Sequence, residues 1–582
     1  VQPETPIRPA WLRWSGLSAV ALVLSAFAWM PMLAAYPATQ GGDGPFYHKM
    51  IEAARVTVVR FHELPLWNPY ECGGVPLWDN PQGVPAAPMV WASLLLGTTR
   101  AIELWYVVHS AIGFLCMWAL ARHEVKLSRG ASFVAAASWA FSGVHNQHYT
   151  GGHFTFVPYL YFPLAVLMWR RAERDLRMAV GAGAIVALTM LEGGVYPLPH
   201  LLLLLGAETL TRAWPPRRLA AIVRAGVVVL AVGIGLGATR FLPVIDQLRT
   251  HVRPLGVETD AMQWSTLKDV FLSRDHGRGV PGQEYVWPEF GDYVGPFLLA
   301  LAGVGMLMAG AENAWVLALL GWAFVLMLGH FAKVAPWSVL KGHVFPFKEM
   351  RVPSRFVYSV GLWLSVCMGI GIDRLTALGR RWLGRQRAEG VRLALLALGL
   401  VGVGDMIAVG IAWCAQCFNG PPEAEVKASP RLYIGGPGTA AFLDQPRQNR
   451  SRLDCWEEWA FTAGAPLWQG DVPQARAEVA AADVHLGEVT RTPNTYTFDV
   501  DAPGPARILV NGPFDRGWRT SVGTLADQDK QLVLDVPGGH HHVRLHYWPH
   551  GMTLGLWLTA LSSAGIAIYF VRGARRRTHD AP

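Results

Sequence analysis

The sequence predicts a polytopic α-helical membrane protein of about 12 spans, with an extracytoplasmic β-sandwich domain before its last helix. Three observations predict it. Hydrophobic residues fill 52% of the 582 positions and charged residues only 16%, against about a quarter charged in a soluble chain. The missing charge is concentrated in repeated apolar blocks of roughly 20 residues, the length that crosses a bilayer core. Short alternating runs punctuated by Gly and Pro gather in one stretch near the C-terminus, where strands are expected. The net charge of +8 sits in short Arg-rich loops between apolar blocks. That is the positive-inside pattern, not a basic face for nucleic acid, and no nucleic-acid partner is expected.

Arg8 and Arg13 precede an apolar run from about Leu17 to Ala35, which places the N-terminus in the cytoplasm. No small-residue cleavage site closes that run, so it reads as a retained helix. A polar outer loop follows, residues 36–83. The apolar stretch 84–97 is too short to cross and reads as a re-entrant or interfacial helix on the outer side. Later spans are expected near 101–121, 130–145, 154–169, 178–196, 198–211, 219–243, 293–310, 314–332, 354–376, 391–414 and 551–571. Clusters such as Arg122/Lys126/Arg129, Arg170/Arg171/Arg174 and the tail Arg572–Arg577 mark cytoplasmic turns; the turn at Glu312 has no Lys or Arg. Both termini are then cytoplasmic. The outer surface carries residues 36–83, 244–292, 333–353 and 415–550. The organisation expected is a transmembrane domain 1–414, an outer domain 415–550 that is β-rich from about 483, and a last helix with its basic tail, 551–582.

Within the outer domain, Tyr496–Val500, Arg507–Val510, Gln531–Val536 and His542–Tyr547 read as strands, with Pro537-Gly538-Gly539 as a hairpin turn. Two-sheet packing is the natural outcome. On a strand, His540, His542, Arg544 and His546 share one face and Val543, Leu545 and Tyr547 the other, so the histidines read as a solvated face and not a metal site. Cys116 and Cys367 fall in spans. Cys72, Cys414, Cys417 and Cys455 fall outside, where a disulfide is expected with its connectivity open.

The first outer loop holds the main chemical candidate. Asp43 sits among Gly41, Gly42 and Gly44, just beyond the outer end of the first helix, and Phe46, Met50, Ile51, Ala54 and Val58 recur behind it at helical spacing. An amphipathic helix on the membrane surface is predicted there. A carboxylate at its start serves as a general base or metal ligand, or else as a helix cap. His48, Lys49, Trp67 and Asn68 in the same loop are candidate substrate-binding residues. Lys348, Arg351 and Arg355, entering a span, have the composition to face an anionic phosphate, the alternative being headgroup snorkelling. His145, His148 and His153 cluster at an outer helix end without a zinc-protease spacing, and Glu192 is an ionisable residue at membrane depth. His145 and Glu192 complete the substrate-binding candidates. No P-loop or GxSxG pattern occurs, which removes support for ATP-driven transport.

In order along the chain, GGDGPFYHKM, ELPLWNPYECGGVPLWDNPQG, ASWAFSGVHNQHYTGGHFTFVPYLYFPLAVLMW, EMRVPSRFVYSVGLWLSVCMGIGIDRL, FDRGWRTSVG and LDVPGGHHHVRLHYWPHGMTLGLWLTALS resemble the YfhO-like bacterial membrane proteins, placed among the GT-C glycosyltransferases. The resemblance implies a bacterial cytoplasmic-membrane enzyme. It would move a sugar from a polyprenyl-phosphate donor to an extracytoplasmic acceptor such as a cell-wall polymer, lipid or protein, beside membrane lipid and membrane-protein partners. It also implies Asp43 as the acidic residue of the first outer loop. The residue two beyond it is Pro45, not the second acid of a DxD pair, so a divalent cation is left open and no metal ligand is assigned. Two other classes fit the same architecture: a non-catalytic assembly or scaffold subunit, and a flippase for a lipid-linked intermediate. The flippase would carry internal repeats, and none is evident.

Overall fold

A computed structural model describes residues 10–213, 216–251, 262–275, 280, 286–422, 427–429, 431–435, 445–455, 464–478 and 483–579. Arg8 lies outside them. The described chain is mostly helical, with a two-stranded pairing of Trp67–Asn68 and Val75–Pro76 in the first outer loop and the larger sheets in its C-terminal part before a final helix. Among the described residues, four helical segments are long and apolar enough to cross a membrane: Thr98–His123, Leu219–Thr250, Pro353–Cys417 and Met552–Arg572. Pro296–Leu307 and Ala311–Met327 together pass the same test but meet at a bend of 116°.

This is fewer than the expected twelve, and the reason is local. The stretch 130–145 is split into helices Arg129–Ala140 and Gly143–Thr150, and 154–169 into the 3-10 turn Phe154–Tyr161 and the helix Phe162–Ala172. Twelve residues rise about 18 Å, short of a bilayer core of about 30 Å. The stretch 84–97 forms a short helix, Pro88–Leu96, packed on Thr98–His123. The segment Val357–Cys417 reverses at Gly384, whose φ of +73° breaks the helical backbone. Gly379 then lies against Val391, and Gly399 against Val134 and Ile372, as in an antiparallel helical hairpin.

The helix after Asp43 spans Gly44–Phe61, but it does not lie with one face open at a surface. Residues from Phe46 to Ala54 are buried on every side. Its polar face is covered because Lys49 pairs with Glu71 of the first outer loop, and Arg447 Nε donates to Glu52 at 2.8 Å. Cys72 is disulfide-bonded to Cys455, and Cys414 and Cys417 are free thiols. The bond ties this loop to the segment ahead of the sheets.

The C-terminal region contains two antiparallel sheets. One orders Trp518–Thr520, Gly539–Tyr547, Thr495–Ala502 and His485–Leu486, with Thr490–Arg491 also on Thr495–Ala502. The other orders Thr524–Gln528, Gln531–Val536, Ala506–Pro513 and Ala475–Ala477. Alternation sends Phe498, Val500, Val543 and Leu545 from the first and Ile508, Val510, Leu532 and Leu534 from the second into one hydrophobic cluster. His540 and Arg544 are exposed on the opposite face. Trp67 of the first outer loop joins this cluster, its ring 4.6 Å from Tyr547 and 5.2 Å from Trp518.

A buried polar junction joins the sheets to the helices. Gln247, near the end of Leu219–Thr250, donates through Nε2 to Asp79 at 2.8 Å and to Asp515 at 3.2 Å. Tyr547 donates to Asp79 at 2.9 Å. Arg240, about two turns earlier on the same helix, donates to the carbonyls of Trp78, Asn80 and Gly83. Burial and then the nearby Asp515 carboxylate raise Asp79 to about 7, against the opposing hydrogen bonds from Gln247 and Tyr547. A folded-state value above the ordinary carboxyl range gives stability that is complete in acid and lost as pH rises toward about 7. Hydrogen-exchange protection of residues 67–83 and 511–518 is therefore expected to fall between about pH 4 and pH 7, and Asp79→Asn to flatten that dependence. Identical slopes in the two proteins would contradict it.

Candidate active site

A cavity of about 500 Å³ opens where the start of Gly44–Phe61, the turn after Gly143–Thr150 and the segments 286–289 and 346–355 converge. Asp43 lines it. The carboxylate stands at the N-terminal edge of its helix yet makes no side-chain cap hydrogen bond. Its backbone is held instead: Asp43 N–H donates to Gly151 O at 3.0 Å. Gly152 adopts φ +89°, and a Cβ there would collide with the backbone of Asp43 and Gly44. The Gly151-Gly152 pair thus lets two chain segments cross in contact, which brings His153 to the carboxylate.

His153 Nε2 is 3.0 Å from Asp43 Oδ2, and Asp43 remains 47% exposed, so its other oxygen is accessible. His153 Nδ1 is 2.7 Å from His148 Nδ1. His148 is fully buried against Phe156 and Tyr358.

Across the cavity, Glu289 takes two hydrogen bonds from Arg355, from Nε and Nη2, each 2.6 Å. Ser354 Oγ donates to Glu289 O at 2.8 Å, fixing the same turn. The Arg355 guanidinium lies 4.1 Å from the Tyr196 ring centroid and 4.9 Å from that of Phe156. Its Nη1 is buried without a hydrogen-bond partner among the described residues. Burial alone would raise the Glu289 carboxyl, but the Arg355 charge and hydrogen bonds, then His148 and His153, hold it at about 2. Glu289 is thus an anion throughout the physiological range. Arg351 and Glu349 also line the cavity, and Leu248, Val286 and Met350 give it an apolar wall.

Of the residues expected from sequence, Asp43, Arg351 and Arg355 line this one cavity. The others lie elsewhere. His48 Nε2 is 3.2 Å from Thr99 Oγ1, and Lys49 is paired with Glu71. Trp67 is in the sheet cluster, and Asn68 Oδ1 accepts from Tyr70 N at 3.0 Å. His145 is buried beside Trp139 and Tyr358. Glu192 accepts from Tyr161 at 2.8 Å. Lys348 is exposed and outside the cavity lining. The sequence reading missed Glu289, for which Val286-Trp287-Pro288-Glu289 carries no signal, and it grouped His148 and His153 without linking them to Asp43. Among the described residues no set of three His, Cys, Asp or Glu side chains is arranged to hold a metal ion.

No family model matches the sequence, and no curated protein matches it. Among solved structures it is similar to the apo oligosaccharyltransferase of Archaeoglobus fulgidus, at 12% identity over 76% of this chain and 65% of that one, TM-score 0.43. It is also similar to ArnT from Cupriavidus metallidurans. The apo state aligns at 13% identity over 78% and 88% of the two chains, TM-score 0.45, and the form bound to undecaprenyl phosphate at 13% over 77% and 87%, TM-score 0.44. The chain spans about two thirds of the archaeal protein's length.

Proposed function

We propose that this chain is a membrane glycosyltransferase of the GT-C type. It moves a sugar from a polyprenyl-phosphate donor to a hydroxyl acceptor on the outer side of a bacterial cytoplasmic membrane. The observation that carries this reading is the pairing, in one cavity, of an accessible carboxylate with two guanidinium groups. Transfer to a hydroxyl needs a base to take its proton as the new glycosidic bond forms at the sugar carbon. It also needs cations to take up the charge on the phosphate as the old bond breaks. Asp43 has an accessible oxygen for the first task. Arg355 is pinned by Glu289 on one edge and leaves Nη1 unpartnered among the described residues for the second. A guanidinium already held in place loses little freedom when it binds phosphate. The apolar wall at Leu248, Val286 and Met350 suits the first isoprene units of a donor. On this reading both termini are cytoplasmic and the sheets lie outside, close to an acceptor.

Purified protein in detergent, given a panel of short-chain polyprenyl-phosphate sugars, is expected to release or transfer sugar. Donor binding with no turnover across the panel would instead favour a lipid-linked flippase or a scaffold subunit.

A further inference from the structure

The contact between His148 and His153 constrains protons as well as positions. Two imidazole Nδ1 atoms 2.7 Å apart hold one hydrogen between them. His153 Nε2 faces a carboxylate oxygen, which accepts only, so that nitrogen carries a hydrogen. The shared hydrogen then belongs either to His153, with both of its nitrogens protonated, or to His148, which leaves His153 neutral with a bare Nδ1. Burial, the first of the influences on His148, holds its ring well below the ordinary imidazole value, with Glu289 opposing and His153, Arg355 and His145 reinforcing. A neutral His148 that donates through Nδ1 has a bare Nε2, and that atom is buried without a hydrogen-bond partner among the described residues. The opposite assignment would leave a buried N–H with no acceptor.

We propose that His148 is a positioning residue that fixes His153 as the Nε2–H tautomer and so aims its single donor at Asp43 Oδ2. This rests on the reading of Asp43 as the base. The consequence lies in which oxygen does the work. With Oδ2 committed to His153, Oδ1 is left to meet the acceptor hydroxyl, and a neutral His153 does not neutralise the carboxylate as an imidazolium would. The charged and titratable groups around the pair are Asp43 ahead of its helix, His145 on the same helix as His148, Glu289 on the 287–289 turn, and Arg355 and Tyr358 across the cavity wall. None is placed to hydrogen-bond His148 Nε2.

The test is two-bond 1H–15N correlation of histidine-labelled full-length protein in detergent, assigned with single variants. Wild type is expected to show His153 as the Nε2–H tautomer. His148→Phe fills the same aromatic slot without a donor and is expected to let His153 carry hydrogen on Nδ1 as well as on Nε2, which Asp43 alone does not prevent. His148→Asn, whose amide NH2 sits where Nδ1 stood, is expected to restore the wild-type signature. A wild-type His153 carrying its hydrogen on Nδ1, or an unchanged His153 in His148→Phe, overturns the inference. Should His148→Phe not fold, a wild-type His153 carrying hydrogen on Nδ1 still overturns the inference. The base reading fails separately, through turnover that survives Asp43→Asn.

Discussion

Arg355→Gln is expected to weaken binding of a polyprenyl-phosphate donor by roughly 10- to 100-fold, the range for losing charged hydrogen bonds of about 1.5–3 kcal/mol. The same change leaves Glu289 buried with no countercharge. Removing one partner of a buried ion pair costs about 3–5 kcal/mol, and the Arg355–Glu289 pair is 11% and 8% exposed. Two variants separate the effects. In Arg355→Gln combined with Glu289→Gln the buried charge is gone, so stability should largely return while donor affinity stays low. The pH dependence is a further check. In wild type, Glu289 is held below the ordinary carboxyl range, so its contribution is complete above about pH 4.5 and lost as pH falls toward about 2. In Arg355→Gln the largest influence opposing burial is gone, and burial raises the carboxyl. Its stability should then increase as pH falls, the reverse slope. Thermal melts at pH 4 and pH 8, with donor binding by fluorescence, measure both. Wild-type affinity in either variant would remove Arg355 from the phosphate site.

Asp43→Asn is expected to lower turnover by roughly 10²- to 10⁴-fold, the range attributed to a positioned general base. The amide keeps the size of the side chain and its oxygen still accepts from His153, so folding and donor affinity should change little. Because Asp43 makes no cap hydrogen bond, the usual cost of about 1 kcal/mol for losing a helix cap does not apply. A variant that loses both stability and donor binding would speak for a structural carboxylate.

The sequence carries parts of this arrangement unequally. Asp43 stands out because glycines flank it at the end of an apolar run, and Arg351 and Arg355 because cations gather where a helix begins. Lys49 has the same look in sequence, yet its partner Glu71 reaches it only once the loop has folded over the helix. Glu289 is invisible for the converse reason: its meaning comes from Arg355, 66 residues later. The Cys72–Cys455 pairing, 383 residues apart, has no local signature either. Apolar runs predict the membrane class well, because hydropathy is a sum over many residues. They predict helix ends poorly at 142–143 and 154–161, where Ser142-Gly143 and Pro158 break runs that hydropathy alone reads as continuous. The strands were readable because alternation records directly which face is buried, as at Val543, Leu545 and Tyr547.

On the proposed function, the Asp43 carboxylate at this cavity drives sugar transfer from a lipid phosphate. The most direct test follows sugar release from short-chain polyprenyl-phosphate sugars by wild type and Asp43→Asn in parallel, at matched donor occupancy. Turnover in wild type that is lost in the variant, with donor still bound, is the predicted result. Equal turnover in both proteins would contradict it.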